Sequence, residues 1–333
     1  MRILFVVLAV LLIVPGWAGE EPVRVYPPAM TVTTARVTLA PGDPTRKRVG
    51  ALRFLGGLSL ASRASGFGGF SALAIDGDRF VLLGDNGQLL RFRLGRDWRI
   101  SALEAGALPG GPGPGWDKRD RDSESLAVDA ADDRAWVGFE NDNAIWRYSA
   151  DLRRVERSTR PAAMRRWYSN GGAETLAPLA DGRFVVISEE TPVPAQRWRG
   201  SPATRKRTRD LLIFPQDPTA GAAPARSAYV VQGRFDVVDA TESANGDLLV
   251  LERAFYLPYR FATRLMRIQA RDLAPGRVIR PEHLATLDRP LIHDNFEGIA
   301  TTREGGATIV WLVSDDNQSR LQRTLLLKFR LDG

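Results

Sequence analysis

Short apolar runs separated by turn-forming residues alternate with polar positions along most of the chain. A similar short phrase opens five pairs of such runs, and the second run of each pair ends on an acid. The five copies are residues 70–74, 123–127, 173–177, 238–241 and 296–300. They recur at intervals of roughly 50–65 residues, which is typical of β-propellers built from hairpin repeats. The pattern predicts an all-β chain that forms a single propeller of five or six blades.

The two ends of the repeat region predict how the ring closes. Residues 49–60 have the pattern of a strand, and residues 323–331 form the last strand of the fifth repeat. Because a closed ring leaves no exposed sheet edge between its first and last blades, we expect the N-terminal strand to pair with the C-terminal blade. Residues 280–284, by contrast, are predicted to form a short helix or turn.

The first residues have the form of a secretory signal. Arg2 precedes an apolar run at residues 3–14, and small residues end at Ala18. The run is shorter than the ~20 residues of a membrane-spanning helix. We therefore expect cleavage after Ala18, Sec-type export to the periplasm or the medium, and no membrane span in the mature protein. The predicted organisation is a signal peptide (1–18), an extended N-terminal arm (19–48) and a propeller domain (49–333).

Composition narrows the chemistry that the chain can perform. Its 333 residues include no cysteine and two histidines, which excludes thiol catalysis and disfavours a zinc site built on several histidines. The formal net charge is +7, and part of the excess lies in a basic insertion, residues 190–210. This charge suits anionic small molecules, acidic polymers or a membrane surface, although a solvated loop without a partner is the alternative. Nucleic acid is not an expected partner, because Trp198 is the one aromatic residue of the insertion.

Acidic residues occupy both ends of the predicted hairpins. In a hairpin the start of the first strand lies beside the end of the second, so each pair of acids is brought together. In the first repeat Ser71 replaces the first acid. Because the hairpins should radiate from one axis, we expect the acids to converge on one mouth of the central channel. The expected members are Asp85, Glu124, Glu140, Glu174, Glu189, Asp239, Glu252, Glu297 and Asp315.

A carboxylate cluster of this kind is unfavourable alone, because like charges raise each other's pKa values and oppose folding. Calcium binds about six to eight oxygen ligands, so the nine acids are predicted to be metal ligands and calcium is the predicted cofactor. Two alternatives stay open. The acids could cap turns and hold blades together through backbone amides, or they could act as acid–base catalysts without a metal.

Three further residues near the expected mouth are candidates for catalysis or substrate binding. His293 lies four residues before Glu297 and, together with that acid, could transfer protons. Arg253 directly follows Glu252, and Arg121 lies three residues before Glu124. Either arginine could bind an anionic group of a substrate or neutralise a neighbouring acid. Neutralisation is slightly favoured.

Five segments together resemble the phytase-like family of exported bacterial proteins, which is named for an "esterase-like activity of phytase". They are residues 69–74, 122–127, 170–174, 249–253 and 294–298, and the resemblance extends over about residues 49–329. It implies an exported β-propeller with phosphoester or ester hydrolase activity. It also implies a more distant similarity to calcium-dependent alkaline phytases, which use calcium ions and acids at the channel mouth to bind and polarise phosphate.

Three functions are compatible with these residues. The first is a calcium-dependent hydrolase that acts on phosphate esters, with an anionic small-molecule substrate held by Arg121 or Arg253. The second is a non-catalytic periplasmic propeller that binds a ligand or partner and holds structural calcium. The third is a lactonase or carboxylesterase that uses a carboxylate or His293 as its base. The sequence indicates no particular oligomeric state.

Overall fold

The structure is a computed structural model, and it describes residues 26–27, 30–115, 117–129, 131–169, 171–319 and 321–332. The predicted signal peptide and the first residues of the predicted arm lie outside the described residues, as does Asn170. No helix in the described part of the chain has the length and apolar character needed to cross a bilayer.

Short strands joined by tight turns form five sheets. The N-terminal strands are β1 (Thr33–Arg36), β2 (Arg48–Val49) and β3 (Leu52–Ala61). Blade one contains β4 (Phe70–Asp76), β5 (Arg79–Gly84), β6 (Gln88–Leu94) and β7 (Ile100–Ala107). Blade two contains β8 (Ser123–Asp129), β9 (Arg134–Phe139), β10 (Ala144–Tyr148) and β11 (Val155–Thr159).

The third and fourth sheets are connected through one exchanged strand. Blade three contains β12 (Ala177–Pro178), β13 (Phe184–Ile187), β14 (Thr208–Phe214) and β15 (Ala225–Val230). Blade four contains β16 (Asp236–Glu242), β17 (Leu248–Tyr256), β18 (Arg260–Ile268) and, after the two-residue strand β19 (Val278–Ile279), β20 (Glu282–Leu287). Strand β19 pairs in parallel with β15 and so extends blade three.

The fifth sheet closes the ring. It contains β21 (Asn295–Glu304), β22 (Ala307–Asp315) and β23 (Thr324–Leu331). The fourth position of this blade is taken by β3, which pairs antiparallel with β23 from Leu52 opposite Leu331 to Leu60 opposite Thr324. Strand β1 then covers the outer edge of β3. The predicted all-β propeller of five or six blades, closed by an N-terminal strand, is therefore confirmed, and it has five blades.

In the part of the chain that the structure describes, helical structure is confined to single turns in the connections. These turns are Lys118–Asp120, Ala195–Arg197, Pro202–Arg205, Pro218–Ala220 and Ala270–Asp272. The helix or turn predicted at residues 280–284 is wrong, because Glu282–Leu287 is the outer strand of blade four. The strand pairs with β18 through a register shift between Leu265 and Met266. Because the pairing is irregular, the sequence of this strand does not alternate regularly between apolar and polar residues.

The hydrophobic core consists of five clusters, and each cluster joins two neighbouring blades. The cluster between blades five and one, for example, packs Trp311 against Phe80 with ring centroids 4.9 Å apart. Burial of apolar surface drives this packing. Each cluster is complete only when two neighbouring blades are in contact. The five blades therefore form one cooperative body, whose inner strands all begin at the same end of the channel.

Candidate metal centre at the channel mouth

A β-bulge marks the start of the inner strands. In blades one, two and five the pairing register skips one residue, which is Ser71, Glu124 and Glu297 respectively. Bulges of this kind re-aim a side chain and are common beside functional sites. Glu174 has the equivalent place in blade three, next to the bridge between Ala173 and Ser188. The glutamates at three of these four positions line one pocket.

A second set of acids lies at the end of the neighbouring strand in four of the five hairpins. Asp85 and Glu140 come directly after β5 and β9, while Asp315 is the last residue of β22. Glu189 follows Ser188 in the same way. All four side chains line the same pocket as the bulge glutamates, because the antiparallel pairing places the two strand ends side by side.

The pocket at this mouth has a volume of about 440 Å³ and is lined by eight acids against three cations. The acids are Asp85, Asp122, Glu124, Glu140, Glu174, Glu189, Glu297 and Asp315, and the cations are Lys118, Arg119 and Arg253. The structure thus brings together seven of the nine acids predicted from the strand ends. The two others, Asp239 and Glu252, both belong to blade four.

The strand pairing of blade four is shifted by one residue from the pairing that the repeat pattern predicts. Its bulge falls on Val238, because Val237 pairs with Glu252 and Asp239 pairs with Leu251. Arg253 is therefore the residue that corresponds to Asp85, Glu140, Glu189 and Asp315. Since side chains alternate between the two faces of a strand, a shift of one residue turns both acids of this blade away from the mouth.

The two acids of blade four have structural roles instead. The carboxylate of Asp239 accepts hydrogen bonds from the backbone amides of Ile299, at 2.8 Å, and Ala240, at 2.7 Å, and so ties blade four to blade five. Glu252 is fully buried. It accepts a 2.7 Å hydrogen bond from the Tyr229 hydroxyl and forms an ion pair with Arg264.

Arg253 enters the mouth as a neutralising cation. Its guanidinium donates to Glu297, to Glu189 at 3.2 Å and to the side-chain oxygen of Asn295 at 3.0 Å. The amide of Asn295 also donates to Glu297 at 2.8 Å. These contacts occupy one side of the mouth, where blades four and five meet blade three, and they use the fork of donors that arginine presents to carboxylates.

Five acids of blades two and three form two triads that share one residue, and one of these acids, Glu189, also pairs with Arg253. Oxygens of Asp122, Glu124 and Glu140 lie within 4.8 Å of one another, and so do oxygens of Glu140, Glu174 and Glu189. Ligand oxygens about 2.3–2.6 Å from a calcium ion can lie at most about 5 Å apart. Both triads fit that limit, and Glu140 is placed to bridge two positions.

The electrostatics of the triads favour a cation. Burial, followed by the neighbouring carboxylates, raises the pKa values of Glu124 and Glu174 well above the usual range. Burial and the charges of Asp122 and Glu189 raise the pKa of Glu140 to about 8. Burial also raises the pKa of Glu189 to about 7, although the charge of Arg253 opposes this shift. A positive ion would offset the repulsion that these shifts report.

Two cationic residues of the mouth were not predicted from the sequence. Lys118 lies in the turn Lys118–Asp120 and pairs with Asp85 at 2.6 Å. Burial alone would lower the pKa of Lys118, but the charge of Asp85 raises it overall. Arg119 lines the rim and pairs with Asp117 at 2.8 Å. Both residues lie in the connection between blades one and two, which the repeat period does not cover.

The model of one protein family matches most of this chain. The Phytase-like model, described as "Esterase-like activity of phytase", matches residues 65–318. The chain belongs to the phytase-like family. The resemblance noted on the five sequence segments is thereby confirmed, and the matched residues include every acid of the mouth.

Other comparisons add little to this assignment. No curated protein matches the phytase-like chain. Among solved structures, Kuenenia stuttgartiensis hydrazine synthase is 14% identical, with 78% of this chain and 71% of that chain covered and a TM-score of 0.39. The β-propeller domain of Myceliophteria thermophila Cps50 (Swd1) is 12% identical, with coverage of 89% and 99% and a TM-score of 0.40. At these TM-scores neither similarity bears on function.

The remaining predicted site residues lie outside the mouth of this phytase-like propeller. His293 is absent from the pocket lining. Its Nδ1 lies 2.8 Å from the backbone oxygen of Leu291, and its Nε2 accepts from Arg289 at 3.4 Å. Arg121 donates to the backbone oxygens of Pro112 and Asp120. Of the predicted catalytic and substrate-binding residues, Glu297 and Arg253 are therefore the two that reach the mouth.

Proposed function

We propose that the protein is a calcium-dependent hydrolase of phosphate esters that acts at the acidic mouth of the propeller. The observation that carries this proposal is the pair of carboxylate triads that share Glu140. Membership of the phytase-like family supports the same reaction class.

The donor set of the mouth fits calcium. The acids offer oxygen ligands, Asn141 and Asn317 add amide oxygens to the lining, and neither histidine contributes. Hard cations prefer oxygen ligands, whereas zinc in proteins is usually held by nitrogen or sulfur. The residues that would hold calcium are Asp122, Glu124, Glu140, Glu174 and Glu189. Bound there, calcium would hold the phosphate oxygens of a substrate and offset the charge that develops during hydrolysis.

The chain's own residues would bind the anionic substrate and move protons. Lys118 and Arg119 lie on the rim, where their donors can reach a phosphate group that enters the mouth. Without a metal, the pKa values of Glu189 and Glu140 are raised to about 7 and about 8, so calcium that binds these two ligands near neutral pH would release their protons. Arg253 is already engaged by Glu189 and Glu297, so its role is to limit the negative charge of the mouth.

The test is phosphate release from phytate and from p-nitrophenyl phosphate, measured while calcium is titrated into chelator-treated protein. We expect release that requires calcium and that Glu140→Gln reduces at least about tenfold, because loss of the shared ligand weakens both triads. The matched control is Glu304→Gln, since Glu304 is an exposed acid that pairs with Lys328 away from the mouth. Release that persists without any divalent cation would overturn the proposal.

Two other results would favour a different function. Calcium binding without turnover of phosphate esters, carboxylic esters or lactones would point to a non-catalytic binding propeller with structural calcium. Turnover of lactones or carboxylic esters alone would point to a carboxylesterase.

Export is also part of the proposal. The sequence at residues 1–18 supports a periplasmic or secreted location. N-terminal sequencing of protein recovered from the periplasm should begin at Gly19. Recovery of the intact N-terminus from the cytoplasm would contradict export.

A further inference from the structure

The hairpin of blade four is longer than the others at the mouth face. In blades one, two and three the second strand ends before the acid that it brings to the mouth. In blade five the second strand ends on that acid. Strand β17 instead continues beyond Arg253, with Ala254 opposite Ala262, Phe255 opposite Phe261 and Tyr256 opposite Arg260. Three further residue pairs correspond to about 10 Å of strand. The hairpin therefore projects above the rim.

The tip of this hairpin is apolar and exposed. Leu257 is 86% exposed, Tyr259 is 67% exposed and Phe255 is 46% exposed. Among the described residues, five of the eight exposed large hydrophobic side chains lie at the mouth face: Tyr168, Phe255, Leu257, Tyr259 and Leu321. Exposed apolar groups concentrated in this way mark an interaction surface.

Basic side chains surround the tip on the same face. Arg260 stacks over the Tyr256 ring at 4.3 Å and pairs with Asp288 at 3.3 Å, and Arg289 lies against the tip in a shared cleft. The connection that follows β13 in neighbouring blade three leaves from the mouth face as well. Its residues 191–207 contain five basic residues and no acid, and Arg199, Lys206 and Arg207 among them are exposed.

We propose that the blade-four hairpin docks on an anionic phospholipid surface, with its tip inserted at the level of the headgroups and the basic connection of blade three beside it. An apolar tip flanked by arginines matches the two layers of such a surface, because leucine and tyrosine enter the acyl boundary while the cations meet the headgroup phosphates. Each basic residue near an anionic leaflet adds to the attraction, which salt weakens.

The shape of this surface favours a membrane over a protein partner. Stable protein interfaces need about 800 Å² per partner with a packed apolar centre, whereas here Phe255, Leu257 and Tyr259 stand on one narrow projection, apart from Tyr168 and Leu321. A tip of a few side chains suffices for a lipid interface when long-range charge attraction supports it. Docking of this kind would occur whether or not the mouth hydrolyses a phosphate ester.

The test is co-sedimentation with vesicles of phosphatidylcholine alone or mixed with phosphatidylglycerol. It uses the chain from residue 19, which contains every described strand and lacks the apolar predicted signal. We expect binding to the mixed vesicles that weakens as salt is raised. The double variant Leu257→Ser/Tyr259→Ser should bind at least about tenfold more weakly. The control Val155→Ser/Val278→Ser removes exposed apolar groups from other elements and should bind as the parent does.

A second measurement reports insertion directly. The chain has no cysteine, so Leu257→Cys and Val155→Cys each provide a single site for an environment-sensitive fluorophore. The label at position 257 should shift to shorter wavelength on mixed vesicles, while the label at position 155 should not. The proposal is overturned if the parent protein does not bind the mixed vesicles, if the tip variant binds as tightly as the control, or if the label at position 257 stays in water.

Discussion

Two groups of acids near the end of the channel differ in what neutralises them. The acids of blade four, Asp239 and Glu252, are buried but fully partnered by backbone amides, Tyr229 and Arg264. The triads around Glu140 lie mainly against other carboxylates, whose charges add to burial in raising the pKa values of Glu124, Glu140 and Glu174, whereas burial alone raises the pKa values of Asp239 and Glu252. Similar residues in similar repeats thus support the fold in one case and form a candidate ion site in the other.

The difference comes from one residue of register. With its bulge on Val238, blade four presents Arg253 where the other blades present an acid. That arginine pairs with Glu297 and, among the triad members, with Glu189. The repeat pattern thus lacks an acid at two places in the mouth. Ser71 stands at one of them in blade one, and Arg253 stands at the other in blade four.

The largest effect on stability should come from removing the partner of a blade-four acid. Arg264→Met leaves the charge of buried Glu252 without its ion-pair partner, which should lower the free energy of unfolding by about 3–5 kcal/mol. Calcium should not restore this loss. Urea denaturation checks the prediction, with Arg267→Met as the control, because Arg267 pairs with the exposed Glu282 and should matter by at most about 1 kcal/mol. Full rescue of Arg264→Met by calcium would erase the distinction between the two groups.

Calcium should stabilise the parent protein through the other group. At a calcium concentration about 100 times the Kd, the free energy of unfolding should rise by about 2.7 kcal/mol per site. Glu140→Gln should lose most of this gain and Glu304→Gln should keep it. Thermal melts with and without calcium measure both effects, and an equal gain in the two variants would place the ion elsewhere.

The acids of the mouth also predict a pH dependence in the metal-free protein. Glu140 binds its proton more tightly in the folded chain, with a pKa of about 8 against a usual value of 4.5. Its contribution to stability is therefore complete below about pH 4.5 and is lost as the pH rises to about 8. The loss should be on the order of 2 kcal/mol after solvent screening.

Comparison with Glu140→Gln isolates this effect, because glutamine stays neutral throughout that pH range. The metal-free parent should lose stability relative to the variant between pH 4.5 and 8, and calcium should remove the difference or reverse it. A parent protein that gains stability relative to the variant over this range, without metal, would contradict the raised pKa.

Much of the fold could be predicted because strand ends and turns leave a clear pattern. Antiparallel pairing alone places Glu124 beside Glu140 and Glu174 beside Glu189. The position of a bulge leaves no comparable mark, so the apolar Val238 gave no sign that Asp239 and Glu252 would point away from the mouth. Lys118 was missed for another reason, since it lies in an irregular connection that belongs to no repeat.

A smaller effect is expected at the rim. Lys118→Gln removes the ammonium that pairs with Asp85 at 2.6 Å and faces the pocket. The KM for an anionic phosphate ester should rise about tenfold, the usual worth of one hydrogen bond to a charged group, while kcat changes little. A loss in kcat with KM unchanged would assign Lys118 to the chemical step instead.

The smallest effect is expected at His293, which lies outside the pocket lining. His293→Gln should change the rate of phosphate release by less than about twofold, because a group that does not reach the substrate cannot transfer its proton. A large loss of rate in this variant would restore His293 as a candidate acid or base.

The central claim is that the triads around Glu140 bind a cation, and a crystal structure grown with calcium tests it most directly. We expect an ion bonded to an oxygen of Glu140 and to oxygens of at least two other triad members, at about 2.3–2.6 Å. A well-ordered mouth in saturating calcium that contains no ion, with its carboxylates bonded to one another through shared protons, would contradict it.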